Sequence, residues 1–201
     1  MNKTRIGIFA SGTGSNAINL IKYFNNHSSI EIGFVLSNKS DAPVLNSAKA
    51  LGIEVIYSPN EEVAKGDSLI ELCQTHKIDW IVLAGYLRLI PTQLIQAYEN
   101  KIVNLHPSLL PKYGGKGMHG ANVHNAVIAA KENESGITIH YVNEEFDKGR
   151  IIAQFRCSIN DKDTVETLSQ KIHILEQSYL PVVIEKTIVN SKNYGNFFYS
   201  I

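Results

Sequence analysis

The feature that most constrains the fold of this chain is a regular alternation between short apolar runs and segments with helical spacing. The apolar runs are nearly continuous, as in strands that are buried on both faces of a sheet. The segments between them repeat apolar residues every three or four positions, which is typical of amphipathic helices. We predict strands at Arg5–Ser11, Glu31–Ser37, Glu54–Tyr57, Trp80–Ala84 and Lys101–His106, and helices at Asn16–Phe24, Ala42–Leu51 and Glu61–His76.

This order predicts an α/β fold with a Rossmann-like, doubly wound and mostly parallel sheet. The pattern changes after the fifth strand, where prolines and glycines predict a loop over Pro107–Gly120. Two later strands are joined by a connection too short for a crossover helix, so we expect an antiparallel pair toward the carboxyl end. The later elements are predicted as a helix at Ala121–Lys131, strands at Gly136–Val142 and Ile151–Cys157, a helix at Thr164–Asn190 that Pro181 can bend, and an edge strand in the tail Asn196–Ile201.

The composition is that of an ordinary globular protein. The chain has 201 residues, 44% of them hydrophobic, and its 19 basic residues balance its 19 acidic residues. We predict a single domain over 1–201. The balanced charge gives no support for a nucleic-acid partner, and no apolar run is long enough for a membrane span or a signal peptide. Two distant cysteines and scattered histidines indicate a reducing, cytoplasmic setting and no metal site.

The turn Ser11–Asn16 follows the first predicted strand and opens the first helix. Its two glycines let a ligand approach the backbone, and the N–H groups at a helix start suit a phosphate. A dinucleotide fingerprint needs a third glycine, but Ala17 and Ile18 stand there, and Ser37–Lys39 occupies the place of the usual acidic residue. A lone phosphate is therefore favoured over a dinucleotide, with a plain capped turn as the alternative.

A second group of polar residues lies at and beyond the end of the fifth strand. Asn104 and His106 alternate onto one side of that strand, where an amide beside an imidazole can stabilise an oxyanion. Thr138 and His140 share a face of a later strand, and Asp147 lies at a glycine-bearing turn. Histidines are often structural, and a turn aspartate often bonds its own backbone, so structural roles are the alternative. Because no nucleophile motif is present, the combination favours group transfer to a nucleophile carried by the substrate.

Five stretches of the chain match one known pattern, in the same order and over nearly the whole length. They are Gly14–Asn16, Ser37–Lys39, Leu83–Ile90, Asn104–Tyr113 and Gly136–Asp147. Taken together they resemble the phosphoribosylglycinamide formyltransferase family, folate-dependent enzymes of purine synthesis. The Asn-x-His-Pro-Ser-Leu-Leu-Pro run is highly specific to the formyltransferase superfamily.

The resemblance implies transfer of a formyl group from 10-formyltetrahydrofolate, a co-substrate, to the amine of glycinamide ribonucleotide, with small-molecule substrates, no metal, and a monomer or homodimer. In this scheme the amine attacks directly, and Asn104 and protonated His106 stabilise the oxyanion. Asp147 holds and charges the imidazole, and positions a water that relays protons.

The resemblance also implies a nucleotide-binding half at about 1–100, a folate-binding and catalytic half at about 101–201, and individual binding residues. The substrate-binding positions are Gly14, Ser15, Asn16, His173 and Glu176, with the first three around the phosphate and Glu176 at the ribose. The folate-binding positions are Leu87, Arg88, Leu89, Ile90, Asn104, Asn143 and Asp147. Two departures stand out: the glycine-rich loop Gly114–Gly120 is longer than the family's turn, and Val63 falls near the place of a folate-contacting arginine.

Three alternatives remain at this stage. Formyltetrahydrofolate deformylase would use water as the acceptor, but that family carries an added amino-terminal domain. Methionyl-tRNA formyltransferase needs a further carboxyl-terminal domain and a basic face. A non-catalytic nucleotide-binding module would need the phosphate turn but not Asn104, His106 and Asp147 together.

Overall fold

The computed structural model describes residues 3–192, which hold seven strands and seven helices. The strands are β1 (Thr4–Phe9), β2 (Ile30–Ser37), β3 (Val55–Tyr57), β4 (Trp80–Leu83), β5 (Ile102–His106), β6 (Glu134–Tyr141) and β7 (Ile151–Ser158). The helices are α1 (Ser15–Phe24), α2 (Pro43–Ala50), α3 (Asn60–Val63), α4 (Asp67–Thr75), α5 (Thr92–Ala97), α6 (Ala121–Ala129) and α7 (Val165–Lys192). The tail strand predicted at Asn196–Ile201 lies outside the described residues.

The chain divides into two compact units, Met1–Asn104 and Leu105–Ile201. In the first unit the strands run parallel in the order β3-β2-β1-β4-β5. Their apolar side chains are buried, with Ile6, Ile8 and Phe9 of β1 fully covered. The strand order reverses between β1 and β4, and in open parallel sheets ligands bind outside the carboxyl ends at such a switch point. The loops after β1 and β4 are therefore placed for binding.

In the second unit β6 and β7 pair antiparallel, and α7 packs against both strands and against α6. The buried positions of α7 recur at helical spacing, which gives this long helix its apolar face. They are Leu168, Ile172, Leu180, Ile184 and Ile188. Among residues 3–192, no helix combines the length and the apolar character that a membrane crossing requires.

The predicted fold class, a mostly parallel α/β arrangement with an antiparallel strand pair toward the carboxyl end, is confirmed. Two helix predictions need correction. The single helix predicted at Glu61–His76 is two helices, because Gly66 has a left-handed φ of 69° that ends α3 before α4 begins. The six-residue helix α5 was not predicted, since so short a segment shows little periodicity. Pro181 lies inside α7, which continues past it.

Gly14 precedes α1 with a left-handed φ of 74°. A Cβ at this position would lie 2.1 Å from Cγ2 of Val44, on α2. Gly14 is therefore required by the packing of α1 against α2, whatever binds at the turn. Gly12, two residues earlier, is exposed and has open space around it.

We expect Gly14→Ala to lower the free energy of unfolding by about 2–4 kcal/mol, through left-handed strain and overpacking against Val44. Gly12→Ala is the matched control and should leave stability nearly unchanged. Urea unfolding of the two variants measures the difference. Equal stabilities would contradict the packing role of Gly14.

Candidate active site

The loops after β1 and β4 are joined by hydrogen bonds. The backbone N–H of Ser11 donates to the Gly85 carbonyl at 3.1 Å, and the Leu87 N–H donates to Ser11 Oγ at 3.0 Å. Ser11 Oγ in turn donates to Asn38 Oδ1 at 2.6 Å. Because Ser11 and Asn38 are both buried, these bonds fix the two loops against each other at the switch point.

This network extends outward to Arg88. The Asn38 side-chain amide donates to Asn60 Oδ1 at 2.9 Å, and Arg88 Nε donates to the same oxygen at 2.7 Å. Asn60 begins α3, which lies after β3. The arginine is thereby oriented by residues from three different βα connections.

The amino end of α1 carries the predicted phosphate residues. Ser15 is exposed and Asn16 is buried, and the residue that caps this helix end is Gly14, which has no side chain to occupy the space in front of the helix. The backbone N–H groups and the positive end of the helix dipole at such an end suit an anion. The turn that Gly14 shapes can therefore receive a phosphate.

The loop after β4 carries the predicted folate residues. Leu87 and Leu89 are 43% and 48% exposed, whereas Ile90 is buried. Two exposed leucines flanking an arginine offer an apolar surface with a cationic neighbour, which suits an aromatic ring system with acidic groups.

Asn104 and His106 lie two residues apart on β5, as predicted. Asn104 pairs in register with Leu83, the last residue of β4, so it lies at the sheet edge from which the loop after β4 departs. It is half-buried, whereas the His106 side chain is only 4% exposed.

Asp147 lies at the centre of a cluster of titratable side chains. Its Oδ1 lies 3.5 Å from His106 Nδ1 and 3.7 Å from His140 Nε2. Its Oδ2 accepts the Gly115 N–H at 2.9 Å. Asp147 has a φ of 57°, a left-handed conformation that aspartate tolerates better than most residues. The turn residue is thus also the shared partner of two histidines.

Backbone packing fixes this turn. A Cβ on Gly149 would lie 1.6 Å from the Tyr141 carbonyl oxygen, so only glycine allows the connection to close against the end of β6. On the same strand, His140 Nδ1 bonds the Tyr141 carbonyl at 2.8 Å, which leaves Nε2 directed toward Asp147.

Both ring nitrogens of His106 face acceptors. Nε2 donates to the Tyr113 carbonyl at 2.8 Å, and Nδ1 faces the Asp147 carboxylate. Only the imidazolium satisfies both partners. Burial nevertheless lowers the pKa of His106, and it outweighs the opposing effects of Asp147 and the Tyr113 carbonyl. Asp147 acts in the expected direction, raising the His106 pKa, and so limits the fall that burial causes.

The pKa of Asp147 is lowered. Burial acts in the opposite direction, but the hydrogen bond with His140, the charge of His106 and the Gly115 N–H together outweigh it. Asp147 is therefore ionised at neutral pH. An ionised carboxylate beside the His106 ring favours a proton on that ring.

The other predicted residues lie on α7 and in the connection between β6 and β7. His173 Nδ1 lies 3.7 Å from Glu176 Oε2, one turn apart on α7, with Glu176 the more buried partner. Asn143 Oδ1 accepts the Glu145 N–H at 3.2 Å, which shapes the start of the connection that carries Asp147.

The sequence patterns did not reveal several contacts of this site. Alternation placed His140 beside Thr138 on one strand face, but did not pair it with Asp147. The Tyr113 carbonyl and the Gly115 N–H are backbone groups, so no residue type could reveal them. Across residues 3–192, no group of three or more histidine, cysteine or acidic side chains is arranged to hold a metal ion.

Comparison with known proteins gives consistent matches. A family model described as formyl transferase matches residues 4–184. Phosphoribosylglycinamide formyltransferase of Bacillus subtilis is 36% identical over 92% of this chain and 94% of its own length. The chloroplastic enzyme of Arabidopsis thaliana is 36% identical over 90% of this chain, and the match spans 64% of the plant protein.

A solved structure agrees over its full length. The crystal structure of phosphoribosylglycinamide formyltransferase from Bacillus halodurans superposes with a TM-score of 0.84, at 35% identity, covering 98% of this chain and 100% of that one. The shared fold, the matched length and the level of identity show that this chain belongs to the formyl transferase family.

Proposed function

We propose that this protein transfers a formyl group from 10-formyltetrahydrofolate to the amine of glycinamide ribonucleotide, a step of purine biosynthesis. The observation that carries the proposal is the buried cluster in which Asp147 faces both His106 and His140. Relatives named phosphoribosylglycinamide formyltransferase match nearly the whole chain, which supports this acceptor.

The chemistry is acyl transfer without an acyl-enzyme. The substrate amine attacks the formyl carbon, a C–N bond forms, and the formyl oxygen becomes an oxyanion. Asn104 and the imidazolium of His106 stabilise that charge. The bond to the folate nitrogen then breaks as that nitrogen gains a proton, relayed by a water that Asp147 positions.

His106 Nε2 donates a hydrogen bond to the Tyr113 carbonyl. In the proposed reaction the formyl oxygen needs a hydrogen bond from this same nitrogen. The formyl oxygen therefore replaces this carbonyl when substrates bind. The negative charge that develops on it offsets the burial that holds the His106 pKa down.

Substrate binding is assigned to the loops after β1 and β4 and to residues of α7. The amino end of α1, at Gly14, Ser15 and Asn16, binds the phosphate of the ribonucleotide. Leu87 and Leu89 flank the pterin, and Arg88 faces the acidic part of the folate. Glu176 binds the ribose, with His173 beside it.

The acceptor is tested by mixing 10-formyl folate and the protein with glycinamide ribonucleotide, with methionyl-tRNA, or with no acceptor, and by following folate release. Release that depends on glycinamide ribonucleotide is expected. Release without an acceptor would indicate a deformylase, and release only with methionyl-tRNA would indicate the tRNA enzyme. No release in any mixture would favour a binding module.

Changes in the two proposed binding loops should affect the binding of different substrates. Ser15→Asp puts a negative charge where the phosphate binds, and like charges a few Å apart cost on the order of 1–4 kcal/mol, so the nucleotide KM should rise about tenfold or more. Leu89→Asp puts a charge against the pterin and should instead weaken binding of a folate analogue.

Each of these two variants has a control that matches it in side-chain shape or in exposure. Ser15→Asn is the neutral counterpart of the first variant, and Leu51→Asp changes a leucine that is 44% exposed but lies outside the loop. The reverse pattern, with Ser15→Asp affecting folate alone, would show that the two assignments are exchanged.

Asp147→Asn removes the charge that opposes the lowering of the His106 pKa, so that pKa should fall further. Imidazole resonances followed by NMR titration measure it. Activity needs the charged ring and the neutral amine together, so a lower His106 pKa leaves less of the competent state and kcat at neutral pH should fall.

The control for this change is Glu145→Gln, which removes an exposed carboxylate of the same connection that pairs with Lys148. It should leave the His106 titration in place. An Asp147→Asn titration that matches the wild type would reduce Asp147 to a turn residue.

A further inference from the structure

Two side chains of the β6–β7 pair hold the backbone that follows the catalytic histidine. Thr138 Oγ1 donates to the Ser108 carbonyl at 2.6 Å and accepts the Leu110 N–H at 3.0 Å. Gln154 Nε2 donates to the Leu110 carbonyl and to Thr138 Oγ1, each at 2.9 Å. Thr138 and Gln154 are direct cross-strand partners, so they present one combined surface to the segment. We call this pair of side chains the β6–β7 clamp.

The hydrogen-bonding capacity of the Thr138 hydroxyl and of the Gln154 amide nitrogen is fully used. A hydroxyl has one donor and two acceptor sites, and all three of Thr138 are occupied. A side-chain amide nitrogen has two N–H groups, and both of Gln154 are occupied. Thr138 is fully buried, so a lost partner in this network would leave a polar group unsatisfied away from water.

The segment that the clamp holds connects His106 to Tyr113, whose carbonyl accepts a hydrogen bond from the His106 ring. It begins at Ser108, two residues after His106, and Ser108 Oγ donates to the Lys112 carbonyl at 2.7 Å. The next residue, Tyr113, supplies the carbonyl that accepts from His106 Nε2. The clamp therefore helps to position both the His106 ring and the Tyr113 carbonyl that accepts from it.

Beyond the clamped segment the backbone changes character. Tyr113 and the glycines at 115, 117 and 120 all have a positive φ, and Lys116, Gly117, His119 and Gly120 are exposed. The near end of this loop is held by the Gly115 N–H, which donates to Asp147 Oδ2, and by the clamped segment that precedes it. The position of His106 therefore depends on Thr138 and Gln154 as well as on the loop.

We infer that Gln154 is a positioning residue for formyl transfer, acting through Thr138 and the Leu110 backbone to hold His106 in its reactive place. The inference rests on the proposed function, because it concerns the rate of that reaction. Gln154 touches no reacting atom. Its amide supplies two N–H donors to two acceptors, a task that neither a carboxylate nor an apolar side chain can perform.

Gln154→Leu keeps the approximate volume and removes both donors. The expected result is a kcat reduced about tenfold to a hundredfold, since a displacement of about 1 Å can cost a factor of that size. The KM values of both substrates should stay within about threefold, because the binding loops lie elsewhere. The NMR-detected pKa of His106 should also fall, since the Tyr113 carbonyl that raises it would be less well placed.

Thr138 offers a conservative pair of variants. Thr138→Val removes the hydroxyl at nearly constant shape and should lower kcat as Gln154→Leu does. Thr138→Ser keeps the hydroxyl and should recover most of the rate. Because the two side chains act as one unit, the double variant Gln154→Leu with Thr138→Val should be little worse than the worse single one.

Gln170→Leu is the control, since Gln170 is exposed on α7 and makes none of these bonds. It should leave kcat, KM and the His106 titration unchanged. A folded Gln154→Leu variant with wild-type kcat and wild-type titration would overturn the inference. Failure of the proposed function would look different: the wild-type protein would not form product, while the His106 titration would still report the effect of the clamp.

Discussion

The carboxylate of Asp147 is the interaction on which the rest of the site depends. It is 11% exposed, and a buried charge is costly unless partners compensate for it. The Gly115 N–H donates to it and the His106 and His140 rings face it, and these partners come from different parts of the second unit: the glycine-rich loop, the end of β5 and the end of β6. Any displacement of one partner leaves the charge less compensated, so the carboxylate ties these three segments together.

His106 shows how two effects compete at one group. The carboxylate and the Tyr113 carbonyl both favour a charged ring, while burial favours a neutral one and prevails in the unliganded protein. A ring that is neutral at rest but surrounded by acceptors is ready to be charged when an oxyanion develops. In the proposed reaction the developing oxyanion therefore favours the charged form of His106.

Sequence patterns predicted the parallel strands well, because continuous apolar runs leave little choice for strands buried on both faces. They missed the break at Gly66, where backbone conformation rather than hydrophobic spacing ends a helix. Gly14 was read as a site for ligand approach, yet the contact with Val44 that also requires it is tertiary and invisible in one dimension. The roles of His140 and Gln154 depend on which residues meet across β6 and β7, and that register follows only from the folded sheet.

The central claim is that His106 and Asp147 act as one unit in formyl transfer. The most direct measurement is kcat for His106→Ala, Asp147→Asn and the double variant, at saturating concentrations of both substrates. Each single change should lower kcat by about 10²–10⁴-fold, and the double variant should be little slower than the slower single one. Losses that multiply in the double variant, or a kcat for Asp147→Asn close to that of the wild type, would contradict the account.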